Sequence, residues 1–140
     1  MIALLALHGE ARADAPECDV SVTTLNFPAY DPSAPFDDTG VSTISIDCNK
    51  ERKLEIGLYT SDQCTQRYLR GPQNTRMNYQ LYQDAGYQIV WGTKKPKCGD
   101  VVDIDEKMTA VRVTVYGRVP RQQTVVAGTY TDTVTVEVDF

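Results

Sequence analysis

Apolar residues recur at every second position in stretch after stretch of this chain, and no other feature constrains its fold as strongly. Val20 and Val22 alternate with polar neighbours, as do Ile44, Ile46 and Cys48, then Leu54, Ile56 and Leu58, then Val111, Val113 and Val115. Near the C-terminus Val134, Val136, Val138 and Phe140 share one parity, and Thr133, Thr135, Glu137 and Asp139 the other. Successive side chains of a strand point to opposite faces, so this period marks half-buried strands. Turn signals separate the runs: Asp31-Pro32, Asp37-Asp38-Thr39-Gly40, Gly71-Pro72, Cys98-Gly99-Asp100 and Ala127-Gly128. No window of helical length carries an apolar stripe of period 3.6. Many short strands with turns between them predict an all-β domain, a sandwich or barrel.

The 140 residues suffice for one domain with one core. Residues 2–7 form a short apolar run, and Ala11-Arg12-Ala13 then matches a small-x-small cleavage pattern. Residues 1–13 therefore read as an export signal, clipped at its start, with Ala13-Asp14-Ala15 as a second place to cut. The mature domain would span residues 14–140 and be exported. No other segment is long and apolar enough to span a membrane. Cys18, Cys48, Cys64 and Cys98 all follow the cut, and an even count in an exported chain reads as disulfides. Four cysteines allow three connectivities, and parity chooses among them. Cys18 shares a face with Val20 and Val22, and Cys48 shares one with Ile44 and Ile46. Both point into the core from strands that can pair, which predicts Cys18–Cys48 and leaves Cys64–Cys98. Each bridge closes a loop of about 30 residues, worth roughly 3–4 kcal/mol on the chain-entropy model.

Much chemistry is missing. His8, the only histidine, lies inside the proposed signal, which removes His-based triads, Cys–His pairs and most zinc sites from the mature chain. There is no phosphate-binding glycine loop and no dinucleotide fingerprint. No cofactor or metal is expected, and the chain does not read as an enzyme. A net charge of −5 makes it a poor nucleic-acid binder. Lys94, Lys95 and Lys97 beside Pro96 read as a solvated loop. Asp37-Asp38 and Asp103-Ile104-Asp105-Glu106 are the candidates for a carboxylate pair, and Asp103, Asp105 and Glu106 for a weak calcium site, but the pattern puts both groups at turns or strand ends. Tyr79, Tyr82, Tyr87 and Trp91 read as core packing before a sugar-stacking platform. Tyr30, Pro32, Pro35 and Phe36 form an apolar loop group, a candidate adhesive tip.

Several segments, in order, resemble the spore coat protein U domain family. Asn26-Phe27 with Tyr30-Asp31-Pro32 is similar to its early motif. Met77-Asn78-Tyr79-Gln80-Leu81-Tyr82-Gln83-Asp84 resembles its central YNLY-x-D motif, with Gln80 in place of the usual Asn, and Trp91-Gly92 follows. Val115-Tyr116-Gly117-Arg118-Val119-Pro120 resembles VYGR-[IV]-P, and the run from Gly128 to Val136 resembles the G-x-Y-x-D-x-V-x-V ending. Cys18 and Cys48 occupy the family's two recurrent cysteine positions.

The resemblance implies an immunoglobulin-like β-sandwich lacking its final strand, as in subunits of archaic chaperone–usher pili. It implies a periplasmic chaperone, an outer-membrane usher and a neighbouring subunit that donates a strand, which is a form of β-augmentation. The sequence agrees: the run through Phe140 would leave an apolar edge uncovered. The groove is expected along Val134, Val136, Val138 and Phe140, with Val20 and Val22 opposite. Cleavage after Ala13 leaves residues 14–17, too short and polar to serve as a donor, before Cys18. Two readings follow: a strand-accepting pilus subunit, at the tip and active in adhesion and biofilm formation, or a self-contained coat or secreted module that binds carbohydrate. Non-reducing peptide mapping of the exported protein is expected to join Cys18 to Cys48; a Cys18–Cys64 peptide would contradict the parity argument.

Overall fold

Each alternating run becomes a strand or part of one. The computed structural model describes the backbone of residues 2–12 and, with side chains, residues 18–140. Its strands are β1 (Ile2–Arg12), β2 (Cys18–Val22), β3 (Leu25–Asn26), β4 (Asp38–Tyr59), β5 (Arg67–Arg70), β6 (Arg76–Tyr82), β7 (Val102–Val119) and β8 (Thr129–Asp139). A single 3-10 turn, Pro72–Asn74, is the only helical element among the described residues. The architecture is all-β.

The strand order is β2-β4-β7-β6-β5-β8-β1-β3, and β4 pairs with β8 as well. Strand β4 makes both connections because it is 22 residues long. Its first part lies between β2 and the second half of β7, for example Val20↔Ile46↔Val111. Register shifts between Asp47 and Leu54 then bend it. Its last part lies between the start of β7 and β8, as in Val102↔Ile56↔Val138. The pairings β4–β7–β6–β5–β8–β4 thus close on themselves, so the two layers share continuous strands.

The core lies between those layers. Ile44, Ile46, Leu54, Ile56, Leu58, Val115, Val134, Val136 and Val138 are buried, each on the parity that the alternation assigned it. Trp91 is also buried, and its indole N–H donates to Ile56 O at 2.9 Å. Cys18 and Cys48 are direct cross-strand neighbours and form one disulfide. Cys64 and Cys98 form the other, tying the loop before β5 to the loop before β7. Two motif glycines have steric reasons. A Cβ on Gly117 would lie 2.8 Å from the Phe27 ring, and Gly128 sits at φ +152 against Pro72.

Ile56 touches both layers through β7 and β8, so its truncation should be felt across the whole fold. Ile56→Ala is expected to destabilise by about 2–5 kcal/mol. Urea unfolding should show a lower midpoint at unchanged slope.

Candidate functional site

Strand β8 presents the strongest demand in the molecule. Val134, Val136 and Val138 are all 0% exposed, and both edges of the strand need backbone partners. On one edge residues 55–59 of β4 pair antiparallel, from Glu55↔Asp139 to Tyr59↔Thr135. On the other, β1 runs parallel along the full strand, from Ile2↔Thr129 to Arg12↔Asp139. Strand β1 also pairs antiparallel with β3, through Leu4↔Asn26 and Leu5↔Leu25. It is therefore inserted between two strands that would otherwise leave a gap. The segment read from sequence as an export signal fills the edge that the same reading left open.

The remaining expected groove residues are placed unevenly. Val20 and Val22 pair with Ile46 and Ile44 on β2 and pack half-buried against the core. The pairing partner of β1 across from β8 is β3, not β2. Phe140 is half-buried, with the Arg52 guanidinium 5.1 Å above its ring. The supposed adhesive loop needs a correction. Tyr30 is buried at 5% exposure, its hydroxyl donating to Pro120 O at 2.7 Å and accepting from Gln123 N–H at 2.8 Å. The hydroxyl pins the loop to the end of β7, so Tyr30 is an anchor. Pro32, Pro35 and Phe36 stay outside, with Phe36 62% exposed.

The aromatic cluster divides in two. Tyr79 and Trp91 are core residues. Tyr82, buried but outside the main core cluster, and half-buried Tyr87 meet edge to face at 5.5 Å, and the Arg118 guanidinium lies about 5 Å from both rings. Asp103, Asp105 and Glu106 lie within β7 and not at a turn. Among the described residues no group of three His, Cys, Asp or Glu is placed to hold a metal ion, and no helix is long and apolar enough to cross a membrane.

Alternation alone did not mark the buried polar cluster beside β8. Arg67 shares parity with Leu69, yet it is 1% exposed. Its guanidinium donates to Gln80 Oε1 at 2.6 Å and to Leu58 O and Trp91 O, both at 2.9 Å. It thereby fastens β4, β6 and the Trp91 segment together, and burial lowers its pKa. The Tyr79 hydroxyl donates to Asp132 Oδ2. Arg70 grips Asp62 at 2.7 Å and approaches Asp132 at 3.8 Å. The Arg70 hydrogen bond holds the Asp62 carboxyl below its ordinary range. Burial pushes Tyr79 well above the ordinary tyrosine value, with the Asp132 charge adding to it. Burial also raises Asp132, against the hydrogen bond from Tyr79.

These features define a class: an all-β domain in which one fully buried apolar strand takes an additional strand along its edge. The chain belongs to the Spore Coat Protein U domain family, whose model matches residues 5–137. Protein U of Myxococcus xanthus is 34% identical over 131 residues, covering 84% of this chain and 72% of that protein. The fold is similar to a chain in the crystal structure of the CsuC–CsuE chaperone–tip adhesion subunit pre-assembly complex from archaic chaperone–usher Csu pili of Acinetobacter baumannii. That match has a TM-score of 0.58 and 20% identity. It covers 90% of this chain but 40% of the other, so this chain spans less than half its length. Tyr79, Asp132 and Gly128, which carried the resemblance, are here a buried hydrogen-bonded pair and a tight turn.

The Tyr79–Asp132 pair sets an alkaline limit. Folded Tyr79 keeps its proton where the unfolded chain gives it up, near pH ~10. Above that value the unfolded state binds fewer protons, so stability falls as pH rises. Tyr79→Phe is expected to lose about 1–3 kcal/mol at neutral pH, because Asp132 loses its donor. The variant should also show a shallower loss of stability above pH ~10, read from urea midpoints across that range.

Proposed function

We propose that this chain is a structural subunit of a chaperone–usher pilus and that it works by accepting a strand along β8. The observation that carries the reading is the insertion of β1 between β8 and β3, in a family member whose fold is similar to a subunit in such a complex. Residues 1–13 are an export signal, and the mature domain is 14–140. Removal of the signal clears the edge of β8. A strand from a periplasmic chaperone fills the edge first, an outer-membrane usher receives the complex, and a neighbouring subunit's strand then replaces the chaperone's. The exchange leaves Val134, Val136 and Val138 covered throughout, which suppresses edge-to-edge aggregation.

The subunit's place is at the tip, with a part in adhesion and biofilm formation. The likeness to a tip adhesion subunit supports this, as does the exposed group of Pro32, Pro35 and Phe36 held out by the Tyr30 anchor. Membership of the Spore Coat Protein U domain family supports a second reading, a self-contained secreted or spore-coat module that binds carbohydrate or surfaces.

The mass of the exported protein is expected to show loss of residues 1–13. Thermal unfolding of that oxidised species should then show a large rise in midpoint on adding a synthetic peptide of alternating apolar residues, with slow dissociation. A stable monomer indifferent to peptide and chaperone alike would overturn the pilus reading in favour of the coat module.

A further inference from the structure

A hollow of about 360 Å³ opens beside the pairing of β6 with β7. Asn78, Gln80 and Tyr82 of β6 alternate with Met77, Tyr79 and Leu81 and so take the outer parity of the strand. Gln80 stands opposite Arg118 of β7, and Gln66, just before β5, lines the same hollow. Arg67, 1% exposed, lies at its floor. Two guanidinium groups therefore line the hollow, and no carboxylate among the described residues does. Neither cation is neutralised within it. The acceptors of Arg67, Gln80 Oε1, Leu58 O and Trp91 O, are all uncharged, and its Nε has no partner. Asp62 and Asp132, whose charges reach Arg67, are themselves engaged by Arg70 and by the Tyr79 hydroxyl. Arg118 donates from Nη2 to the Tyr82 hydroxyl at 3.3 Å. Asp37 stands 3.9 Å from Arg118 Nε and also accepts from Arg121 N–H at 2.9 Å. On a chain of net charge −5, this is a local excess of positive charge, and burial strengthens the field of Arg67.

The surroundings narrow the ligand. The Tyr82 and Tyr87 rings back the Arg118 guanidinium at about 5 Å and hold its planar fork, a shape that matches a carboxylate. The amides of Gln66 and Asn78 are exposed, and each can donate to and accept from a hydroxyl group. Asn78 is fixed in place by Gln123, whose side chain accepts from Asn78 N–H at 2.8 Å and donates to Asn78 O at 3.0 Å. Half-buried Val90 supplies an apolar contact. A bare phosphate would use the cations and leave the amides and Val90 idle. A sugar ring bearing a carboxylate uses all of them. We propose that this hollow binds an acidic saccharide of the uronic acid class. Arg118 takes the sugar carboxylate, Gln66 and Asn78 take its hydroxyls, and Arg67 adds its charge from beneath. The proposal deepens the carbohydrate-binding reading above. It is independent of strand acceptance, since no residue lining the hollow belongs to β8 or β1.

The test titrates the full oxidised chain with trigalacturonate, neutral maltotriose and inorganic phosphate, followed by backbone amide shifts in NMR. Trigalacturonate is expected to saturate, with the largest shifts at Gln66, Asn78 and Arg118. It should bind roughly ten-fold more tightly than maltotriose, the worth of one hydrogen-bonded charge. Arg118→Gln should remove that preference and leave the weaker neutral binding in place, and Arg118→Lys should restore part of it. Asn78→Ala, a change at an exposed side chain, should weaken both sugars alike. High salt should narrow the gap between them. Equal binding of the two sugars, or shifts confined to another surface, overturns the acidic-saccharide site and leaves carbohydrate binding standing. Displacement of trigalacturonate by an equal concentration of phosphate reduces the hollow to a plain anion site and overturns the saccharide. No shift with either sugar overturns the site and the carbohydrate-binding reading together.

Discussion

Everything in this fold answers to the requirement that β8 be covered on one face and paired on both edges. Its three inward valines are fully buried, so the strand cannot lie at a wet margin of the sheet. Antiparallel pairing with β4 settles one edge and ties β8 into the closed circuit of strands. The second edge takes a parallel partner, and parallel pairing needs a long connection, so that strand comes from a distant part of the chain. In this structure residues 2–12 arrive there, and β3 receives their far edge. Residues 2–12 thus complete the β-core along that edge.

The long strand β4 is the second requirement. Its 22 residues serve both layers, with bulges where it passes from one to the other. That continuity is why the Cys18–Cys48 bridge at one end and the β8 contact at the other belong to one mechanical unit. Arg67 reinforces the joint from inside, donating to backbone oxygens of Leu58 and Trp91 and to the Gln80 side chain. A buried guanidinium is costly unless its donors are met by acceptors. Three acceptors from separate segments meet its Nη donors while Nε has no partner, so the cost is offset in part, and only when all three are in place. Gln80, which departs from the family's usual Asn, also donates to Cys64 O, and so links this joint to the second disulfide.

The strands themselves were legible because alternation is a local property: the parity of Ile44, Leu54, Val115 and Val134 settles which face is buried without knowledge of neighbours. The Cys18–Cys48 pairing followed from the same parity. Tyr30 was misjudged because a loop's direction depends on what its tip can bond. The acceptors and donors at Pro120 and Gln123 lie about ninety positions away in sequence. The hollow lined by Arg67, Asn78 and Arg118 was equally invisible, since its members come from three strands whose register no local pattern reveals.

By itself the sequence determined the all-β class, the inward faces and the cysteine pairing. These are matters of period, parity and composition. Only the tertiary structure decided which strands neighbour one another, that β4 bridges both layers, that Tyr30 is an anchor and Arg67 a clamp, and that residues 2–12 lie along β8. Those outcomes depend on long-range backbone pairing and on burial, which bring together groups that the chain keeps far apart.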